Sequence, residues 1–224
     1  MAALPALPRK YHAASIWLLY AAGLLPAAYG FWLGATGRLP GNPVKEFEHL
    51  LGLWALRFLI ATLSITPLRD LLGINWIRYR RALGLLAFWY VLMHFTTYMV
   101  LDQYLNFPAI LADIAKRPFI TIGMAAFLML IPLALTSNNW SIRRLGPRWV
   151  KLHRLVYVIA AAGALHFAMS VKVVGLEPWT YIVLVALLLG YRLIRPTLRG
   201  GKRRKPEGAG LRGGQVRSAQ AGSS

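Results

Sequence analysis

Six stretches of this chain are apolar enough, and long enough or nearly so, to cross the hydrocarbon core of a bilayer. No other feature restricts its fold as severely. They run roughly over residues 15–33, 50–65, 82–100, 119–135, 152–174 and 179–194. A span needs about 20 residues of helix, and the second and fourth runs are the shortest against that length. Inside lipid no water can pair with backbone N–H and C=O groups, so apolar runs of this kind must satisfy them internally, as helices. The 224 residues are 57% hydrophobic and only 15% charged, whereas a soluble domain of this size would carry more charge and break its apolar runs sooner. The expected fold is all-α: a polytopic membrane protein, a six-transmembrane-helix bundle over residues 15–195 with no soluble domain.

Turn and breaker residues fall between the runs. GRLPGNP (37–43) follows the first, Pro67 closes the second and Pro118 opens the fourth. SNNW (137–140) ends the fourth, and Glu177 with Pro178 starts the sixth. Trp32, Trp76, Trp140, Trp149 and Trp179 lie near the expected interfaces, as an aromatic belt would. Residues 1–14 form a short N-terminal segment in which Arg9 and Lys10 precede the first run. That run, about 19 residues, exceeds the apolar region of a signal peptide and is read as an uncleaved span. Residues 196–224 are rich in Gly, Ser and Arg without apolar periodicity, so a basic disordered tail is expected there. No internal repeat is evident along the chain.

The formal net charge is +19, and its distribution matters more than its size. Of 26 Lys and Arg, twenty fall on one side of the six spans and five on the other, with Arg57 left inside a span. The positive-inside rule then places both termini in the cytoplasm. The basic excess is read as topology and attraction to anionic lipid, and not as nucleic-acid binding. There is no cysteine, which excludes disulfides, iron–sulfur clusters and thiolate ligation of haem. Asp and Glu total seven and none lies mid-span, so a carboxylate proton relay has little support. Walker, zincin and Ser–His–Asp patterns are absent, and hydrolytic chemistry is not indicated.

Two histidines stand out against this background. His94 and His166 lie deep in the third and fifth runs, where an ionisable side chain is costly and marks a functional site by default. His94 follows Arg81 by 13 residues and His166 follows His153 by 13. At about 1.5 Å per residue, both sit roughly 20 Å from the arginine-rich edge, at one depth. Imidazole is a common axial ligand of haem iron, so one metal gripped between the two is one reading. Residues 160–164, Ala-Ala-Ala-Gly-Ala, would leave room for a flat macrocycle. The other reading is a helix–helix contact in which each histidine makes a buried hydrogen bond.

Arg57 falls near the same depth, and either a haem propionate or snorkelling toward the surface would relieve its charge. His153 is level with Arg78, Arg80 and Arg81 at the basic edge. Thirteen residues of helix turn its side chain by roughly 140° from that of His166. It is either a ligand of a second, inner cofactor or an interface histidine among basic residues. His49 is equally a loop residue or a ligand, and His12 is an ordinary N-terminal residue.

Seven strings occur in order: AGLLP (22–26), NPVKEFEHLLG (42–52), RFLIATLSITPLRD (57–70), RRALGL (80–85), RPFITIG (117–123), LGPRWVKLHRLVY (145–157) and HFAMSVK (166–172). Together they resemble the MsrQ (YedZ) family, haem-binding membrane subunits of periplasmic methionine sulfoxide reductase systems, within the ferric reductase-like transmembrane group. The resemblance implies haem b and FMN as cofactors. It implies an electron-transfer subunit, with catalysis residing elsewhere. Electrons would come from a cytosolic flavin reductase or the quinone pool. They would pass to a periplasmic molybdopterin subunit (MsrP-like) that repairs oxidised methionine in envelope proteins. His94 and His166 would be the bis-histidine pair, and His153 would serve an inner site. Two-haem members of the wider group carry a second histidine on the third span, nearer its basic edge, whereas here that place before His94 is held by Arg80. Arginine does not readily replace imidazole on iron, which argues against a second haem held that way. FMN phosphate could instead meet Arg78, Arg80 and Arg81. Two other functions remain open: a ferric-chelate or oxygen reductase, and a membrane anchor or transporter subunit that uses its histidines structurally.

Overall fold

A computed structural model describes residues 11–171 and 175–200. Its membrane-crossing helices are α1 (His12–Ala35), α2 (Pro43–Leu72), α3 (Arg80–Thr97), α5 (Pro118–Leu135), α8 (Leu155–Ser170) and α9 (Leu176–Gly200). Short helices α4 (Phe107–Lys116), α6 (Asn139–Leu145) and α7 (Pro147–His153) join them. Six segments are long and apolar enough to cross a membrane, from His12–Ala35 to Leu176–Pro196, and among the described residues there is no strand. The protein is an all-α polytopic membrane protein.

The helices start and stop for local reasons. The Asn42 side chain accepts from the N–H groups of Val44 and Lys45, with Pro43 in the first turn, and Gly73 closes α2 in the left-handed region at φ 72°. Asn106 and Asn138 cap α4 and α6 in the same way. Pro67, expected to end the second span, instead lies inside a 30-residue helix. A proline there leaves the carbonyl four residues earlier, that of Leu63, without its helical donor. Arg192 of α9 reaches that carbonyl at 3.5 Å and the Thr66 hydroxyl at 2.6 Å. Tertiary structure thus carries the helix through a residue that sequence alone reads as a stop.

Next to Pro26 in α1 a side chain from another helix also enters the backbone ladder. The buried Tyr90 hydroxyl accepts from the Ala27 N–H at 3.1 Å and donates to the Gly23 carbonyl at 2.7 Å. It therefore stands between the two groups that an unbroken helix would pair directly. Two other expectations shift. The fifth span breaks at Arg154 between α7 and α8, and α8 ends at Ser170. The helix in the sixth span continues through Pro196 to Gly200, so the tail expected from residue 196 falls largely outside the described residues. The residues of the expected N-terminal segment before Tyr11 also lie outside them.

Helices α2, α3, α5 and α8 close a ring in which each packs on the next, while α1 lies against α2 and α3 and α9 against α2 and α8. Half of the apolar window of α2 is buried, against 17% in α1 and 11% in α9, which makes α2 the central helix and the other two the flanks. Such a ring leaves its interior for a cofactor held by side chains on facing helices. Trp32, Trp76, Trp140 and Trp179 are exposed, as belt residues would be. Trp149 is not: its indole N–H donates to the Thr136 carbonyl at 2.9 Å and its ring stacks on His153.

Candidate haem-binding site

Inside the four-helix ring lies a cavity of ≈ 580 Å³, within the range of small-molecule and cofactor sites. Apolar side chains such as Leu56, Leu59, Phe127 and Ile159 line most of it, and both His94 and His166 reach into it. The two imidazole centroids are 6.1 Å apart. The structure therefore brings together the two residues that the apolar runs placed at one depth.

Each histidine is held in the same manner by its neighbouring helix. His94 Nδ1 lies 2.8 Å from the Glu48 carbonyl oxygen, and His166 Nδ1 lies 2.7 Å from that of Phe119. A carbonyl only accepts, so each Nδ1 carries the proton and each Nε2 keeps its lone pair. A carbonyl partner on the far nitrogen is the usual way a protein orients an imidazole ligand and fixes its tautomer. One turn on from each carbonyl sits a glycine. A Cβ on Gly52 would fall 3.3 Å from the His94 ring, and one on Gly123 only 2.7 Å from His166 Nδ1. Side chains at these positions would press on the imidazoles.

The correspondence extends along the chain. The step in sequence from Glu48 to Phe119 equals that from Gly52 to Gly123, and the step from His94 to His166 is one position longer. Leu51-Gly52 matches Ile122-Gly123, and Met93-His94-Phe95 matches Leu165-His166-Phe167. The α2/α3 and α5/α8 pairs are thus two copies of one device, a repeat that was not evident in the sequence. Gly52, Gly123 and the two carbonyls were missed for the same reason. The recurring Gly and His-Phe at nearly one offset were the available signal.

The donor set suits a tetrapyrrole better than a bare ion. Among the described residues no group of three or more His, Cys, Asp or Glu could hold a metal ion. A macrocycle brings four nitrogens of its own and asks the protein only for axial ligands and an apolar slot. Two imidazoles with unprotonated Nε2 atoms, backed by glycines and walled by apolar side chains, fit that demand.

Other expected site residues lie elsewhere. Arg57 does not line the cavity. Its Nε donates to the Tyr181 hydroxyl of α9 at 2.8 Å, and its guanidinium lies 5.0 Å from the Trp54 ring centre. Arg57 thus stands apart from the cavity, with a tyrosine hydroxyl and an indole face beside its guanidinium. His49 does line the cavity and packs on Phe167 at 5.6 Å. His153 is absent from the cavity lining. It ends α7 with its ring stacked on Trp149 at 3.8 Å and its Nδ1 3.1 Å from the Trp149 carbonyl. Arg78 Nη1 is buried without a hydrogen-bond partner, while Arg81 donates to Asn139 at 2.6 Å.

Residues 51–164 match the family described as "Ferric reductase like transmembrane component". The heme-binding subunit MsrQ of protein-methionine-sulfoxide reductase from Rhizobium meliloti (strain 1021) is 75% identical over 195 residues, covering 87% of this chain and 90% of its own. The chain belongs to the MsrQ family. MsrQ subunits of Brucella ovis (strain ATCC 25840 / 63/290 / NCTC 10512) and Brucella abortus (strain 2308) are each 66% identical over 187 residues, covering 84% of this chain and 85% of their own. No solved structure matches the chain.

Proposed function

We propose that this MsrQ-family protein is a haem-containing electron conduit, in which His94 and His166 are the axial ligands of a b-type haem. The observation that carries the reading is the imidazole pair, 6.1 Å apart in one cavity with both Nδ1 atoms bound to carbonyls. Haem supplies a one-electron couple, and iron held by two histidines has no open position, which suits electron transfer over substrate chemistry. The chain's own part is to orient the ligands, exclude water with apolar walls, and keep the rings from moving.

The arginine-rich end, with Arg78, Arg80, Arg81, Arg192 and Arg195, faces the cytoplasm of a bacterial inner membrane under the positive-inside rule. Electrons enter there from a flavin reductase or the quinone pool. They leave at the opposite face for a periplasmic molybdopterin methionine sulfoxide reductase. FMN is proposed at the cytoplasmic end, where the buried Arg78 Nη1 has no hydrogen-bond partner and could meet its phosphate, with His153, Arg80 and Arg81 at the same end. His153 accordingly belongs to this inner site.

The test is optical. The purified protein is expected to show reduced-haem bands that disappear when either His94 or His166 becomes alanine, and to reoxidise when the periplasmic subunit and its sulfoxide substrate are added. A colourless protein overturns the haem reading. Reoxidation by ferric chelates or oxygen alone would make it a terminal reductase. A flavin assay on the same sample tests the FMN assignment.

A further inference from the structure

Beyond the axial ligands, a b-type haem presents two carboxylates, and a cavity that binds it must answer them. Among the described residues lining the cavity, Lys45 and Arg117 are the only lysine and arginine. They occupy neighbouring places in the two helix pairs, since the repeat carries Lys45 onto Lys116, one position before Arg117. Lys45 lies three positions before Glu48, whose carbonyl holds His94. Arg117 lies two before Phe119, whose carbonyl holds His166. Both stand at the mouth, with side chains 52% and 55% exposed.

Each cation is held in place by an aspartate and keeps donors to spare. Lys45 Nζ lies 2.7 Å from Asp102 and 3.4 Å from Glu48, which leaves one of its three N–H groups unused. Arg117 spends only Nε on Asp113, at 3.2 Å, so both Nη groups remain for a second acceptor. Asp113 is itself fixed by the Tyr98 hydroxyl at 3.1 Å. The Glu48 carboxylate at this mouth would repel an incoming carboxylate, but it already lies against Lys45.

We infer that Lys45 and Arg117 are a paired clamp for the two propionates, one cation from each half of the repeat, so that the macrocycle enters with its carboxylates toward the mouth. This rests on the haem reading above. It replaces Arg57, whose charge is engaged by Tyr181 and Trp54.

The experiment compares uptake of haem b and of haem b dimethyl ester, whose propionates are neutral, by the full-length apo-protein in detergent. Wild type is expected to bind the free acid about tenfold or more tightly than the ester, the effect of losing charge-assisted hydrogen bonds. Lys45→Gln with Arg117→Gln should remove that preference by weakening the acid and leaving ester binding unchanged. The exchange Lys45→Arg with Arg117→Lys should restore it. A double Gln variant that keeps the wild-type preference overturns the clamp while the haem reading stands. One that loses acid and ester alike also overturns it, because the cations would then be holding the cavity and not the propionates. Wild type that takes up neither form overturns the haem reading, and the clamp with it.

Discussion

The two ends of this bundle use histidine in opposite ways. At the cavity end, His94 and His166 share one space, each tied by Nδ1 to a carbonyl of the neighbouring helix and each facing a glycine. At the arginine-rich end, His153 is stacked on Trp149 and bonded to that residue's own carbonyl within its short helix. The first arrangement leaves two lone pairs aimed into an apolar cavity. The second sets its ring against an indole, with Arg80 nearby. The difference teaches that a histidine becomes a ligand candidate through what its helix neighbours leave empty, and not through its residue type alone.

The largest effect that would break this contrast is loss of the pair. His94→Ala or His166→Ala is expected to abolish the haem spectrum of the purified protein, whereas His153→Ala should leave those bands in place. Equal loss in all three would erase the distinction between the ends. The next effect concerns the glycines. A Cβ at Gly123 meets His166 Nδ1 at 2.7 Å, and one at Gly52 meets the His94 ring at 3.3 Å. Gly123→Ala should therefore lower haem content more than Gly52→Ala, measured by pyridine haemochrome against protein. The reverse order would mean that the ring positions are not set by these backbones.

Smaller effects fall outside the cavity. Tyr90→Phe removes the hydroxyl that bridges Gly23 and Ala27, at a cost of about 1 kcal/mol in thermal unfolding with the haem spectrum unchanged. A changed spectrum would tie the α1 contact to the site. Smallest of all on the cofactor, Arg57→Gln should leave haem content at the wild-type level. A loss as large as that from changing Lys45 and Arg117 would return Arg57 to the propionates.

Much of this was legible because a bilayer leaves a chain few options. The six spans, the helical class and the common depth of His94 and His166 follow from where apolar runs begin and end. The resemblance to the MsrQ family was legible in whole strings, such as those containing Gly52, Gly123 and His166. The partner of Arg57 was not, because Tyr181 lies on the last helix, far along the chain, and no local pattern joins them. Nor was the passage of α2 through Pro67, which depends on an arginine from that same helix. The repeat was hidden because only a few positions recur, and their equivalence is visible only when the four helices are seen around one cavity.

Sequence by itself determined the solvent, the fold class and the family, and singled out His94 and His166 as candidate ligands, since hydrophobic length and residue chemistry are local properties. Tertiary structure decided which nitrogen of each imidazole carries the proton, which glycines make room, and which cations stand at the mouth. Those depend on packing between segments distant in the chain, and only the folded bundle brings them together.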